Sequence, residues 1–438
     1  MRTAVFLILC VAAAAPLSAQ EPPLRLTLEE AIARGMANGQ RLAELQAREE
    51  GAAAGETGRR AASLPIVAMH AGYTRTNHVD EFAVAQPGQP PRIIYPDIPD
   101  NYRARLDLQW PIYSGGRLEA LQRAARAERM AAGADLAAAR ADLRLEITRA
   151  FWAVVTAGET ERVLGRALES TGVHVRDLRS RLEQGLIPPN EVLTAEAAAS
   201  RQRVLAIEAA NVRSIAEADL KRLVGIDDTG SIVPAAALDS PVTPPADAAG
   251  LIDRARTGRP ERAALEARTA AAREREAAAS ASARPQVGVS GGYDYARPNP
   301  RIFPRIGEWH DSWDVSVNVT WTLWDGGRRR AEVAEAAAAA RAAVARTGEL
   351  DRQIAFEVRQ RSLELDSSRQ SIAAAADGVS AATEARRVVG ERFAVGVATS
   401  AEVLDAEIAV LQAELDRTRA QANARLAEAR LARAAGGL

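Results

Sequence analysis

The chain has 438 residues, with 56 Lys and Arg against 57 Asp and Glu, and 26% of it is charged while 4% is aromatic. That balance excludes the basic footprint of a nucleic-acid binder, and the abundance of Ala, Arg, Glu and Leu favours long solvated helices over sheets. The length allows two or three domains, and a single cysteine, Cys10, excludes a disulfide framework.

Residues 1–19 read as a signal peptide: Arg2, then an apolar core from Val5 to Ala15, then the small pair Ser18-Ala19. Cys10 falls inside it, and Leu9 stands where lipid attachment would call for a small residue. The apolar core is too short to span a bilayer, and no other run reaches about 18 apolar residues. A membrane protein with this sequence is therefore not a helical one.

Thr27 and Glu30 have capping-box spacing and open a helix with Leu28, Ala31 and Ile32. It breaks at Gly35, restarts near Asn38 and ends before Pro65. Residues 66–74 alternate, with Val67, Met69, Ala71 and Tyr73 on one side. A polar, Pro-rich loop follows, through Asn101. Then Tyr102, Ala104, Leu106, Leu108 and Trp110 alternate with Arg103, Arg105, Asp107 and Gln109, a second two-faced strand. The stretch Trp110-Pro111-Ile112-Tyr113-Ser114-Gly115-Gly116-Arg117 turns it into a helix.

From Arg117 to about Gln184 there is no Pro, and apolar residues recur every three or four positions. Such a helix is roughly 100 Å long and asks for coiled-coil packing. Gly185 to Pro189 interrupts it; Asn190 is placed to cap a helix running to Val224, with Gly225 as its stop. Residues 226–260 form a connector, with a short helix from Leu251 to Arg256. Helix resumes from Glu261 to about Ala283, and Pro285 ends it.

The cycle then repeats. Val287, Val289, Gly291, Tyr293 and Tyr295 alternate with Gly288, Ser290, Gly292 and Asp294. Trp313, Val315, Val317, Val319 and Trp321 alternate with Asp314, Ser316, Asn318 and Thr320. Trp321-Thr322-Leu323-Trp324-Asp325-Gly326-Gly327-Arg328 leads into a second Pro-free run to about Ala394, and after Gly396 a last helix reaches about Ala435. A shift of about 211 residues carries Trp110 onto Trp321, Gly116 onto Gly327, Gly185 onto Gly396 and Gly225 onto Gly436. Earlier in the chain the shift is about 220, carrying Pro65 onto Pro285 and Tyr73 onto Tyr293. The chain is an internal duplication: a first repeat over 20–225, the connector 226–260 and a second repeat over 261–438.

Four strands of about nine residues match the reach of tilted strands across a hydrocarbon core. Thirteen of the eighteen aromatic residues lie in the strand windows 66–113 and 287–324. Trp110, Tyr113, Trp321 and Trp324 sit where an interfacial girdle belongs. Four strands cannot close a barrel, and open edges are not tolerated in lipid, so the barrel has to be shared between chains. Arg103, Arg105, Asp107, Gln109, Asp314, Ser316, Asn318 and Thr320 would line its water-filled inside. The helices balance in length: 117–184 against 190–224 plus 261–283, and 328–394 against 400–435 plus 38–63. The fold class is thus an α+β membrane protein, a shared transmembrane β-barrel continued by a long α-helical barrel. The competing reading is a periplasmic coiled-coil structural protein with a soluble sheet.

Chemistry finds no foothold. The Gly-Gly pairs lack the P-loop Lys-Ser/Thr and the dinucleotide fingerprint. His70, His78, His174 and His310 show no ligand spacing and read as surface or lumen residues. Met36, Met69 and Met130 are too scattered for a copper stripe. Carboxylates lie beside Arg on helical faces, and no nucleophile triad is indicated. No catalytic, cofactor or metal site is expected.

The sequence resembles the outer-membrane efflux protein family, the TolC-like channels. The resemblance rests on the duplicated order, on the junctions Tyr113 to Arg117 and Trp324 to Arg328, and on the turns Arg181 to Leu193 and Arg392 to Leu404. It implies a homotrimer with a twelve-stranded barrel in outer-membrane lipid and a helical tunnel hanging into the periplasm. An equatorial belt, formed near 226–260 and by the two chain ends, would ring that tunnel. It also implies a passive exit duct for small molecules, fed by an inner-membrane pump through a periplasmic adaptor. The adaptor would dock at the tip turns, here Gly185, Leu186, Pro188 and Asn190 with Gly396, Val397, Thr399 and Ser400. A duct for type I secretion of polypeptides stays open beside it, because cargo is chosen mainly upstream. The stretch Ala394 to Ala401 departs from the acidic constriction of some members; only Glu391 and Glu402 flank it.

Overall fold

A computed structural model describes residues 24–226, 231–244 and 247–437. The signal peptide and Cys10 lie outside the described residues, as does part of the connector. In chain order the elements are β1 (Leu24–Leu26), α1 (Leu28–Asn38), α2 (Gln40–Ala61), β2 (Ile66–Arg75), β3 (Phe82–Val84), β4 (Arg92–Tyr95), β5 (Asp100–Tyr113), α3 (Arg117–Glu183) and α4 (Pro189–Val224). Then follow β6 (Ile232–Pro234), α5 (Ala248–Gly258), α6 (Pro260–Ala281), β7 (Gln286–Arg297), β8 (His310–Thr320), α7 (Arg328–Ala394) and α8 (Ser400–Ala434). Both long helices have 67 residues, the length that the Pro-free runs require. Among the described residues no helix is long and apolar enough to cross a membrane.

The main sheet has the order β2-β5-β7-β8, all antiparallel. Its register obeys the duplication. The pair Tyr73↔Tyr102, moved by the two repeat spacings, becomes Tyr293↔Trp313, which is observed. Alternation therefore sorts the sheet into one apolar and one polar face. The Pro-rich loop after β2 differs from expectation: it holds the hairpin β3–β4, whose Phe82, Val84, Ile93 and Tyr95 are exposed. The second junction also differs, since pairing stops at Thr320 in β8 whereas β5 stays paired to Tyr113.

The helices form a wall of four columns. α3 packs on α2 and α4 along one flank and on α6 and α8 along the other, and α7 closes onto α6 and α8. The pairing of short helices corrects the sequence reading. α4 is continued by α2, not α6: the Asn38 amide donates to the Val224 carbonyl at 3.0 Å. α8 is continued by α6: Gly436 lies against the Gly258–Arg259 peptide, and the Arg433 guanidinium pairs with Glu261 in the first turn of α6. Length alone could not decide this, because α2 and α6 have 22 residues each. Each composite column is made by elements far apart in the chain.

Two of the buried clusters are equatorial and related by the repeat. Ala31, Ile147, Val154, Leu220 and Val224 are buried in the first. Their counterparts Leu251, Val358, Leu365, Leu431 and Ala435 are buried in the second. The parallel pair β1–β6 closes the first cluster.

Candidate functional site

Three regions hold the residues singled out by the sequence: the polar face of the sheet, the two strand-to-helix junctions, and the two turns at the far end of the helices.

On the polar face, Arg103, Arg105, Asp107, Gln109, Asp314, Ser316, Asn318 and Thr320 all lie on the same side. They are joined by residues the sequence reading left out, above all Asp294, which is 3% exposed. Arg103 donates to Asp294 at 3.0 Å; Arg105 donates to Asp107 at 2.7 Å, to Asp314 at 3.2 Å, and to Asp294. Arg301 reaches Asp314 at 3.4 Å from the loop. Gly292 leaves room for this ladder, since a side chain there would run into the Arg105 guanidinium. Asp294 was legible in principle, because it shares the alternation of Gly288, Ser290 and Gly292. Nearer the helices the face is neutral: the Ser290 and Ser316 hydroxyls are 2.8 Å apart, and Asn318 donates to Ser290 at 2.9 Å.

At the junctions the Gly pairs take left-handed backbone angles, 69° and 90° in φ for Gly115 and Gly116, and the same for Gly326 and Gly327. Residues with a Cβ resist those angles. The caps differ. The Ser114 hydroxyl accepts from Leu118 N at 3.1 Å. The Asp325 carboxylate accepts from Gly327 N and Arg329 N, both at 3.1 Å. Desolvation alone pushes the Asp325 carboxyl up; these amides and the guanidiniums of Arg329 and Arg328 outweigh it and hold the group below the usual carboxylate range. Trp110, Tyr113, Trp321 and Trp324 are all exposed, and the Trp321 indole donates to the Ala283 carbonyl at 3.1 Å.

The two far turns meet in one cluster. Val175, Leu178, Val192, Ala195 and Leu404 pack together, with Ile187 and Phe393 against them. Gly185 and Gly396 end their helices identically: the amides of Leu186 and Val397 donate back to the carbonyls of Arg181 and Arg392, at 2.9 and 2.8 Å. Leu186 and Val397 project into solvent. Thr399 caps α8 by accepting from Glu402 N at 3.2 Å.

Three expectations are corrected here. Asn190 does not cap α4; Pro188 holds the N-cap position and Pro189 is the first helical residue. Ser400 is buried, its hydroxyl 2.9 Å from His174 Nε2. His174, on α3, is accordingly not a surface residue but is buried against Phe393 of α7 and Ser400 of α8. A long helix inside a wall buries its last turns as well as its middle. Burial pushes the His174 imidazole below its usual range, although the carboxylates of Glu407 and Asp177 pull the other way. Glu407 accepts from Ser170 at 2.7 Å and Thr171 at 3.0 Å, and the Arg181 guanidinium sits 4.5 Å from the centre of the Phe393 ring. These contacts clamp the second turn to the first.

The model of one protein family, described as outer membrane efflux protein, matches residues 32–226 and 251–437, in two successive stretches. Over 233 residues, 51% of the chain, the sequence is 29% identical to Protein CyaE of Bordetella pertussis. That match spans 47% of the relative's own length. Among solved structures, the chain is similar to a membrane protein from Pseudomonas aeruginosa, with a TM-score of 0.79 at 22% identity, covering 93% of both chains. It is similar also to the outer membrane protein VceC of Vibrio cholerae, with a TM-score of 0.78 at 22% identity, covering 94% of this chain and 96% of that one.

Proposed function

This chain belongs to the outer membrane efflux protein family, and from that premise we propose that it is the passive exit duct of a tripartite exporter, assembled as a homotrimer. Small molecules pass from the periplasm to the outside through a twelve-stranded barrel and the helical tunnel below it. The two repeats, 20–225 and 261–438, each supply two strands and one unbroken column of wall, with 226–260 as the belt between them.

The observation that carries the reading is the incompleteness of one chain. The apolar face of the four-stranded sheet is bare, with Val315, Val317 and Val319 about two-thirds exposed. β2 and β8 are open edges, which lipid does not tolerate. Their closure follows from the duplication. The observed pair Leu106↔Tyr293, moved by one repeat, becomes Val317↔Tyr73 between two copies. That register sets Val317, Val319 and Trp321 against Tyr73, Ala71 and Met69 on the apolar face, and Ser316, Asn318 and Thr320 against Thr74, Gly72 and His70 on the polar face, with Val315 beside Arg75 at the far end of β2. The polar face, with its Arg103, Arg105, Asp107, Asp294 and Asp314 ladder, then lines the lumen. Trp110, Tyr113, Trp321 and Trp324 then stand at the lipid boundary.

The turns at Gly185–Asn190 and Gly396–Ser400 are the periplasmic tip, where Leu186 and Val397 offer apolar contacts to an adaptor protein. An inner-membrane pump supplies the energy, and no catalytic step is assigned to this chain.

The seam register is tested by disulfide trapping, since residues 24–437 contain no cysteine. With Ser316→Cys and Thr74→Cys in one chain, oxidation of outer membranes should give covalent dimers and trimers. Moving the second cysteine to Gly72 should not. Efficient trapping by the shifted pair, or a soluble monomer in the periplasmic fraction, would overturn the assembly.

A further inference from the structure

The two junctions are copies, yet their charges differ. After the first Gly pair come Arg117, Leu118 and Glu119; after the second come Arg328, Arg329 and Arg330. Three arginines in the first turn of a helix oppose its dipole, which favours anions there. The Asp325 carboxylate already accepts from the Gly327 and Arg329 amides of that turn. Arg328 lies 3.7 Å from Glu332 with both side chains mostly exposed. Arg329 donates to the Thr322 carbonyl at 3.2 Å. Arg330 makes no ion pair among the described residues. Beside them Leu323 is 72% exposed and Trp324 86% exposed.

The duplication says what comes next to this patch. The first junction is covered by the α6–β7 turn: a Cβ on Gly115 would sit 2.9 Å from the Ala281 carbonyl and from Arg284 Cβ. A Cβ on Gly326 or Gly327 would meet nothing within 4 Å. Moved back by the repeat, the covering turn is 61–65 of another copy, directly after Arg59 and Arg60 in the last turn of α2. Neither of these makes an ion pair among the described residues. Five guanidiniums would then gather around two carboxylates, Asp325 and Glu332, a surplus of three positive charges beside a bare tryptophan. Like charges at close range repel, and an anion held between them relieves that repulsion.

We propose that this inter-copy junction binds the phosphate headgroups of anionic phospholipids in the membrane leaflet facing the periplasm. The inference rests on the assembly proposed above. Trp324 and Leu323 enter the headgroup–acyl boundary, as interfacial aromatics do, and the arginines grip phosphate oxygens by paired N–H donors. The first junction, where Arg117 is followed by Glu119 and the Arg284 guanidinium is already held by the Gly115 carbonyl, has no such affinity. The lipid thereby seals the seam at the one ring where barrel and tunnel meet.

The test uses full-length trimers in nanodiscs of phosphatidylcholine with a minor share of phosphatidylglycerol, and measures the lipids retained on gentle delipidation. The wild type should retain phosphatidylglycerol in preference. R328Q/R329Q/R330Q should lower that preference by at least roughly fivefold, the worth of one arginine near an anionic surface. Equal preference in the two proteins overturns the proposal. Both proteins also carry Ser316→Cys and Thr74→Cys, and their covalent band separates the failures: a band without lipid preference sinks the lipid site alone, and no band sinks the assembly and the site together. Should the triple variant not form trimers, the wild type decides by salt. Its preference should collapse between low and high ionic strength, and a preference indifferent to salt overturns the site.

Discussion

The two long helices have the same length and the same place in their repeats, yet α3 buries twenty side chains and α7 four. α3 has columns on both flanks; α7 has a column on one. Ile354, Val358 and Leu365 on α7 are buried, while Phe356 and Leu363, on the opposite face, are 69% and 72% exposed. Their counterparts on α3 are Leu145 and Trp152, and Trp152 sits under the Arg425 guanidinium of α8. Moved by the repeat, α8 becomes α4 of another copy, where Val204 and Ile215 are bare. On the proposed assembly, the difference between the halves is a missing neighbour rather than a different fold. The largest expected effects test that statement. Phe151→Ala empties a fully buried site in the first cluster and should destabilise each chain by about 3–5 kcal/mol, read by denaturant unfolding in detergent. Leu363→Asp should leave chain folding intact and abolish heat-resistant trimers. Normal trimers with Asp at 363 would mean that this face of α7 meets water, and the comparison would break.

The junctions sharpen the same contrast at smaller scale. Gly115→Ala meets the Ala281 carbonyl and Arg284 as well as the left-handed backbone angle, so it should cost about 3 kcal/mol or more. Gly326→Ala meets only the backbone term within one chain, about 1–2 kcal/mol. If the 61–65 turn of another copy packs there, trimer yield should fall with Gly326→Ala as steeply as chain stability falls with Gly115→Ala. A mild effect on assembly would place the repeat symmetry's limit at the junction.

Much of this was legible because periodicity and punctuation are local. The Pro-free runs gave both long helices, the alternation gave four strands with their faces, and the Gly pairs gave the junctions. What escaped was set by distant partners. Whether α2 or α6 continues α4 depends on Asn38 meeting the Val224 carbonyl, 186 positions away. The burial of His174 depends on Ser400, 226 positions away. Asp294 gained its importance only once β7 lay beside β5 and set its carboxylate against Arg103 and Arg105. The exposed hairpin β3–β4 hid in a stretch whose Pro content argued for loop. Such facts are properties of the packed wall, and no window of sequence contains them.

The smallest expected effect concerns the tip, where the halves converge in shape by different means. Both turns end on Gly with the same back-bonded amides, but the helices that follow start differently. α8 begins with a side-chain cap, Thr399 accepting from Glu402 N. α4 begins with Pro188 at the N-cap and Pro189 as its first residue. Pro at that position has no amide to satisfy and a backbone angle already suited to helix. Thr399→Ala should therefore cost about 1 kcal/mol, visible as roughly fivefold faster hydrogen exchange at the Glu402 amide. Asn190→Ala should change little, within about 0.5 kcal/mol, because Asn190 lies inside the first turn and its side chain caps nothing. Equal losses at the two turns would restore Asn190 as a cap. The expected inequality would mean that one turn is held by a bond that can open and the other by a fixed backbone angle. The second turn, joined to the first through His174, Glu407 and Phe393, would then be the half of the tip able to give way.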